Sequence, residues 1–498
     1  MPSFDRIHAA QGTGFGLILG LLMLMAASKA VLFDTMDPDA FWHLQVAEQI
    51  RNLGVGQLRD TITFGSGAAV WTPYSWLAEL FMLKVWEITG WRGAVAVTSL
   101  ASALFVGLCG CWAYVRAQSA TSHRTGNHDP SMSAAVGTMV AFLLSMPYLS
   151  FRPVTFCLVI IASCGFLASL DRWNRTRAVW LIPPLCVLGT NLHFFVILVP
   201  LGLAANLLSD LLQGQPARRG MLLLTATVLA CLCTPLLHGV AHSVLHYSLN
   251  DPMVNSGIIA EFEPFYSGKA GLLSAAVVLG GLFMLLRRRE RFEAGEWLLL
   301  GGALVLAASK GRFSPVLAMA LAPMIAAAVD LSGRTLQRPL PRVAMAATLL
   351  LGLLTTATRF PGKEMSLENW LNRRGIDLEG YPTAAVRFVQ SEIEPRTGRV
   401  INEFNWGGYI GWALRGRFVP LLDGRTQVHS AELWQATYLG ESPDAVWLGA
   451  QEADAAILPA NNSRFRHALT GLGWQIAHAD ARAVVMVPAS TPLAGAAE

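Results

Sequence analysis

Charge is what this chain has least of. Only 14% of its 498 residues are Asp, Glu, Lys or Arg, against about 25% in an ordinary soluble domain. Disorder is excluded, because disordered chains are rich in charge and poor in apolar residues, whereas 53% of this one is hydrophobic. No tract of Lys and Arg interleaved with aromatics occurs and the net charge is only +4, so no nucleic-acid partner is expected. Cysteine is scarce too. The seven, at positions 109, 111, 157, 164, 186, 231 and 233, all lie in apolar stretches, and none lies in 359–498. That excludes a disulfide-stapled fold. The pairs Cys109-x-Cys111 and Cys231-x-Cys233 have metal-like spacing but read as small apolar residues in helices. No repeat of solenoid or transporter type is visible.

The deficit of charge is uneven. Apolar runs fill residues 13 to 358, while 359–498 has the mixed composition of a soluble domain. A hydrocarbon core about 30 Å thick asks for about 20 apolar residues per helix. Spans are predicted near 13–33, 92–115, 132–149, 154–170, 179–190, 194–212, 220–236, 269–286, 296–309, 313–330 and 342–358, eleven crossings in all. Arginine clusters separate alternate spans: Arg116 and Arg124; Arg172, Arg175 and Arg177; Arg218 and Arg219; Arg287, Arg288, Arg289 and Arg291; Arg334, Arg338 and Arg342. With eleven crossings every cluster falls on one face, which the positive-inside rule makes cytoplasmic. The first apolar run has no small-residue cleavage site after it and reads as a retained helix. The expectation is an α-helical polytopic membrane protein, residues 1–358, with outer loops 34–91 and 237–268. Residues 359–498 are expected to form a small α/β domain on the outer side, with the N-terminus cytoplasmic.

The outer face gathers unusual chemistry. The first loop holds Asp37, Asp39, Trp42, His43 and Glu79, and its tail, 76–89, suits the membrane interface. The second loop holds Asp251, Glu261 and Glu263; short turns add Arg152, then Asn191 and His193, then Lys310 and Arg312. An ionisable group in the bilayer costs about 2.5–3.5 kcal/mol. One terminal cation could snorkel, but so many polar groups on one face describe a cavity opening outward. A transporter would put its charges near the midplane instead. A phosphate site makes physical sense of the set. Asp37 and Asp39 beside phosphate would repel it, so either a divalent cation, Mg or Mn, bridges them, or Arg152, Lys310 and Arg312 clamp the phosphate directly. A carboxylate left over can take a proton from an acceptor. His238, His242 and His246 are spaced for one helix face but read as interfacial rather than zinc-binding. The sequon-like Asn461-Asn462-Ser463 carries no weight without a eukaryotic secretory context.

In the soluble part, helices are predicted at 381–392, 431–439 and 464–469, a turn into a helix over 404–414, and strands at 399–403, 418–422, 454–458, 474–478 and 483–487. Two turns look loaded. Asn402-Glu403-Phe404-Asn405-Trp406-Gly407-Gly408-Tyr409 has paired glycines that would let a ligand near the backbone. Asp423-Gly424-Arg425 follows a strand end, where α/β sheets bind ligands.

Taken in order, Asp37-Pro38-Asp39-Ala40-Phe41-Trp42-His43, Trp76-Leu77-Ala78-Glu79, Phe151-Arg152-Pro153, Asn191-Leu192-His193, Asn405-Trp406-Gly407-Gly408-Tyr409 and Asp423-Gly424-Arg425 cover nearly the whole chain. This series resembles the GT-C superfamily of membrane glycosyltransferases, which includes oligosaccharyltransferase catalytic subunits and protein O-mannosyltransferases. The resemblance implies a polyprenyl-phosphate-linked sugar donor at the outer face and membrane lipids as surroundings. It also implies an essential acidic residue in the first outer loop, as base or metal ligand, at Asp37 or Asp39. Glu79 and Glu261 would be accessory catalytic carboxylates. Trp42, His43, Arg152, Asn191, His193, Lys310, Arg312, Trp406, Tyr409, Asp423 and Arg425 would bind substrate. Gly257-Ile258-Ile259-Ala260-Glu261 is similar to the Glu-bearing outer loop of oligosaccharyltransferases. Gly407 and Gly408, however, stand where their acceptor motif has Trp and Asp, so peptide-sequon recognition is not carried over. The acceptor, whether glycan, lipid or protein, stays open. Rival readings are a lipid-linked glycan ligase or polymerase and a non-enzymatic envelope scaffold.

Overall fold

The computed structural model describes residues 15–28, 36–121, 130–174, 176–242, 245, 251–329, 380–393, 397–461 and 463–491. The chain divides into two compact units. One takes described residues from Met1–Leu32, Val95–Thr234 and Ala260–Glu364; the other takes them from Phe33–Ala94, Pro235–Ile259 and Met365–Glu498.

The first unit is a helix bundle. Among the described residues, five helices are long and apolar enough to cross a membrane: Trp76–Ala120, Pro130–Tyr148, Pro153–Asn174, Phe194–Leu212 and Gly311–Ala328. Shorter apolar helices are Phe15–Ser28, Arg177–Leu192, Gly271–Leu286 and Ala294–Ser309. These correspond to nine of the expected spans. The expected span at 220–236 is a helix Arg218–Cys231 that opens on two arginines, and that at 342–358 lies outside the described residues. Small residues let the helices approach, as is usual where lipid offers no hydrophobic drive. A Cβ on Gly137 would sit 2.4 Å from the Ala322 carbonyl oxygen, so Pro130–Ser145 lies directly on Ser314–Ala328. Proline and polar turns break the helices where the chain reverses, and these breaks hold Arg152, His193 and Lys310.

The second unit joins the first outer loop, part of the second and the C-terminal segment. The helix Trp76–Thr121 breaks at Gly90, whose φ of 59° and ψ of −144° are non-helical. This separates 76–89 from the rest of the helix. Before it lie the helix Pro38–Leu53 and a short antiparallel pair, β1 (Leu58–Arg59) and β2 (Val70–Trp71). The C-terminal segment supplies β3 (Gly398–Asn402), β4 (Phe418–Pro420), β5 (Ala455–Pro459), β6 (Trp474–Ala479) and β7 (Ala483–Pro488). They form one sheet in the order β4-β3-β5-β7-β6. β3 runs parallel to β4 and β5, and β7 runs antiparallel to β5 and β6. The parallel strands are nearly all apolar, as buried parallel strands must be. The core is shared between segments: Met253 of the second loop is buried among Ile401, Leu421, Trp434 and Leu458. Trp42, Val46, Ile62 and Trp71 of the first loop pack with Val428.

Candidate functional site

The acidic centre lies in the second unit, and its motif has a local job. Asp37 is the N-cap of Pro38–Leu53: its side chain accepts from Asp39 N at 3.0 Å, with proline following at the first helical position. Asp-Pro-Asp is what a helix start favours, a capping oxygen, a preset φ and negative charge against the helix dipole. Asp39 Oδ1 accepts from Trp42 Nε1 at 2.9 Å. The Trp42 ring lies 3.5 Å from the His43 ring, and His43 Nδ1 is hydrogen-bonded to Glu79 Oε1 at 3.0 Å with both side chains buried. Two tyrosines flank the helix start. Tyr381 donates its hydroxyl to Met36 O at 2.6 Å, and its ring lies 4.7 Å from Tyr409 and 5.1 Å from Phe41. Burial, and then Asp37 and Asp39, push the Tyr381 hydroxyl above its ordinary pKa, so it stays a donor.

The two loaded turns do something other than expected. Gly407 and Gly408 are not openings for a ligand: a Cβ there would meet Leu422 O at 1.9 Å and Pro38 O at 2.7 Å. The space that glycine leaves is filled by protein backbone. Gly424 is filled likewise, since a Cβ would lie 2.1 Å from Asp39 Oδ1. The Asp423-Gly424-Arg425 turn therefore seats the acidic centre from behind. Arg425 is fully buried and pairs with Asp60 Oδ1 at 2.9 Å and Asp423 Oδ2 at 2.8 Å. Thr426 donates to Asp251 Oδ2 at 2.7 Å, so three chain segments are tied together there. Burial alone would raise Asp423 and Asp60, but the guanidinium outweighs it and holds both below the usual carboxylate range. Asp423 and Arg425, expected at a ligand-binding strand end, are instead committed to each other and to Asp60. Trp406 and Tyr409 are buried as well; Trp406 donates to Gly380 O at 3.0 Å. The residues the sequence reading missed are Asp60 and Tyr381. Asp60 had one weak signal, an Asp-x-Ile-Thr turn in which it accepts from Ile62 N and Thr63 Oγ1.

The cationic cluster belongs to the first unit, at the end of the bundle where Pro153–Asn174 begins. Arg152 donates to Glu261 through Nη1 at 2.7 Å and Nη2 at 3.3 Å, and Arg312 lies 3.9 Å from the same carboxylate. The Arg312 guanidinium also stacks over Phe195 and Phe262, and Lys310 Nζ sits 5.7 Å from the Phe262 ring centre. Lys310 ends Ala294–Ser309 and Arg312 lies in the single turn before Ser314–Ala328. Burial raises Glu261, but Arg152 and Arg312 bring it down to about 2. Two guanidiniums thus share one carboxylate. Glu261, expected as an accessory catalytic group, is here the counter-ion of that pair. His193 is buried, its Nδ1 accepts from Phe195 N at 3.2 Å, and Cys157 donates to its carbonyl oxygen at 3.4 Å. Burial, then Arg312 and Arg152, hold it well below its ordinary pKa, so it is neutral. Asn191 is a brace: its amide donates to Val187 O at 2.8 Å and Cys233 O at 3.1 Å.

Asp37 and Asp39 are the residues that could hold a metal. No group of three or more His, Cys, Asp or Glu suited to a metal occurs among the described residues. His238 and His242 lie with ring centres 6.4 Å apart, and His246 is outside the described residues.

No family model and no curated protein sequence matches the chain. Solved structures do. The Archaeoglobus fulgidus oligosaccharyltransferase, tethered to an acceptor peptide containing the NVT sequon, matches with a TM-score of 0.54 at 12% identity, over 89% of this chain and 69% of that one. ArnT from Cupriavidus metallidurans in the apo state matches with a TM-score of 0.53 at 14% identity, over 95% of this chain and 98% of that one. The fold of this chain is GT-C-like, a polytopic helical membrane bundle carrying a small C-terminal sheet domain.

Proposed function

We propose that this chain is a membrane glycosyltransferase that moves a sugar from a polyprenyl-phosphate-linked donor to an acceptor at the periplasmic face of a bacterial inner membrane. The observation that carries the reading is the Asp37–Asp39 pair fixed at a helix start in a chain with a GT-C-like fold. The guanidinium pair around Glu261 supports it, because planar guanidinium donors suit a phosphate. The alternating arginine clusters support the periplasmic assignment.

The chemistry follows from these groups. The acceptor's nucleophilic atom attacks the anomeric carbon as the bond to the phosphate oxygen breaks, so one in-line displacement inverts that centre. Asp39 takes the acceptor proton; Asp37, capping the helix through Oδ1, keeps the helix start and hence Asp39 in place. The departing lipid phosphate carries away the bonding pair as negative charge, the kind of charge that guanidinium and ammonium donors stabilise. A divalent cation such as Mg²⁺ or Mn²⁺ fits this donor set, since Mg²⁺ binds through one or two carboxylates plus substrate phosphates. Asp37 and Asp39 would hold it, and it would neutralise charge on the phosphate.

The test is transfer from labelled polyprenyl-phosphate sugars in membranes, comparing wild type with Asp37→Asn and Asp39→Asn. Asn preserves the cap at 37 and a side-chain oxygen acceptor for Trp42 at 39, so both variants should fold. Transfer should fall by about 10²–10⁴ in Asp39→Asn, the usual worth of a proton acceptor. Full activity in both variants would overturn the assignment of the acidic centre.

A further inference from the structure

The helix Pro153–Asn174 has charge at both ends. Arg152 precedes it and Arg172 lies near its far end, twenty residues on, or about 30 Å along a helix. At the Arg172 end the first unit holds a half-open cavity of about 360 Å³, within the range of ligand sites, about 300–1,000 Å³. Its walls come from five helices and include Trp112, Gly165, Val199, Leu299, Gly302 and Met319; none of the residues assigned above to the transferase site lines it. One part of the wall is polar: Arg116, Arg172 and Glu296. Arg116 bonds Glu296 through Nε at 2.7 Å and Nη2 at 3.1 Å. Arg172 bonds Asp210 at 2.9 Å and also Glu293.

Such a space does not stay empty in a bilayer. Apolar cavities shed water, and a dry void deprives its lining atoms of contacts on one side. Four of the five helices that wall it include a stretch long and apolar enough to cross a membrane, and the fifth, Ala294–Ser309, is a shorter apolar helix, so hydrocarbon is the solvent at hand. The charged part selects the headgroup. It carries both signs, guanidinium for a phosphate and carboxylate for an ammonium, whereas a purely anionic head would have to displace carboxylates. We propose that this cavity is a lipid site that takes an acyl chain of a zwitterionic glycerophospholipid, with the headgroup at Arg116, Arg172 and Glu296.

Glycines on the wall provide the test. A Cβ on Gly302 meets nothing within 4 Å, and one on Gly202 meets only Leu299, at 3.5 Å. Both line the cavity, while Gly301, equally open, does not. Phosphatidylethanolamine with a diazirine in its acyl chain would be incorporated with the full chain in vesicles of phosphatidylethanolamine and phosphatidylglycerol, photolysed, and the labelled peptides mapped. Wild type should label the peptides carrying Gly165 and Met319 above the outward-facing Leu17 and Leu279. Gly302→Leu and Gly202→Leu should each cut that labelling about tenfold, since the new side chain takes the place of one or two methylenes. Gly301→Leu should leave it unchanged, and labelling at Leu17 and Leu279 should not move in any variant. Equal labelling in all four proteins, or labelling confined to outward-facing positions, would overturn the proposal. So would loss of the cavity label on adding polyprenyl phosphate, which would make the cavity part of the donor's path.

Discussion

Two ion clusters, one in each unit, are built from the same parts and differ in their access to solvent. Arg425, Asp60 and Asp423 are all at 0% exposure, while Arg152, Arg312 and Glu261 keep 17%, 14% and 27%. A guanidinium with no solvent beside it cannot turn to a ligand without stranding two carboxylates in a low dielectric, which is far costlier than losing a surface pair. A partly exposed pair can exchange its counter-ion for a phosphate, because water compensates during the exchange. Similar residues therefore do different work. The buried set fastens the first loop, the second loop and the C-terminal segment together, and the open set keeps its contact with solvent.

That contrast can be broken in graded steps. The largest effect should come from Arg425→Met, which leaves Asp60 and Asp423 buried without their cation. A loss of about 3–5 kcal/mol is expected, visible as a lower melting temperature and faster proteolysis of the C-terminal segment in detergent. Arg152→Gln should spare the melting temperature, because Glu261 keeps Arg312. It should instead raise the KM for a polyprenyl-phosphate sugar by about 10- to 100-fold, the worth of a charged hydrogen bond. A drop in melting temperature as large as that of Arg425→Met would erase the distinction between the clusters.

Smaller effects sharpen it. Asp37→Ala should cost about 1 kcal/mol through the lost cap, and Asp37→Asn almost nothing; parallel melts of the two variants separate capping from charge. Acid should act on the buried set with a definite sign. Asp60 and Asp423 are held below their unfolded values, so the unfolded chain binds more protons and stability rises with pH. Their contribution is complete above about pH 4 and is lost as pH falls further, toward the folded values. Melting temperatures taken between pH 6 and pH 3 should decline at the acid end in wild type, and that limb should shrink in Arg425→Met. An identical acid limb in both would show that other carboxylates set it.

Much of the fold was legible because local patterns dictate it. The expected strand at 399–403 is β3 (Gly398–Asn402), and 483–487 is β7 (Ala483–Pro488), since short apolar runs bounded by turn residues can do little else. The helix Ala445–Gly449 was missed; it has five residues, too few for a helical period to register. Two glycines were misread. In sequence, Gly407 and Gly408 look like room for a ligand, yet neighbouring backbone occupies that room. A glycine reports only that something comes close, not whether it is ligand or protein.

Composition and periodicity by themselves determined that this is a polytopic helical membrane protein with a small α/β appendage. Apolar run length and charge scarcity leave a chain few other ways to satisfy its backbone in lipid. They also drew attention to Asp37, Asp39, Arg152 and Arg312. Tertiary structure decided which charges are spent inside the protein and which remain. Arg425 meets Asp60 across 365 positions of sequence, and whether such a pair forms, and how dry it is, depends on which segments the fold brings together. Coulomb energy and desolvation depend on distance and burial in space, and neither quantity is written along the chain.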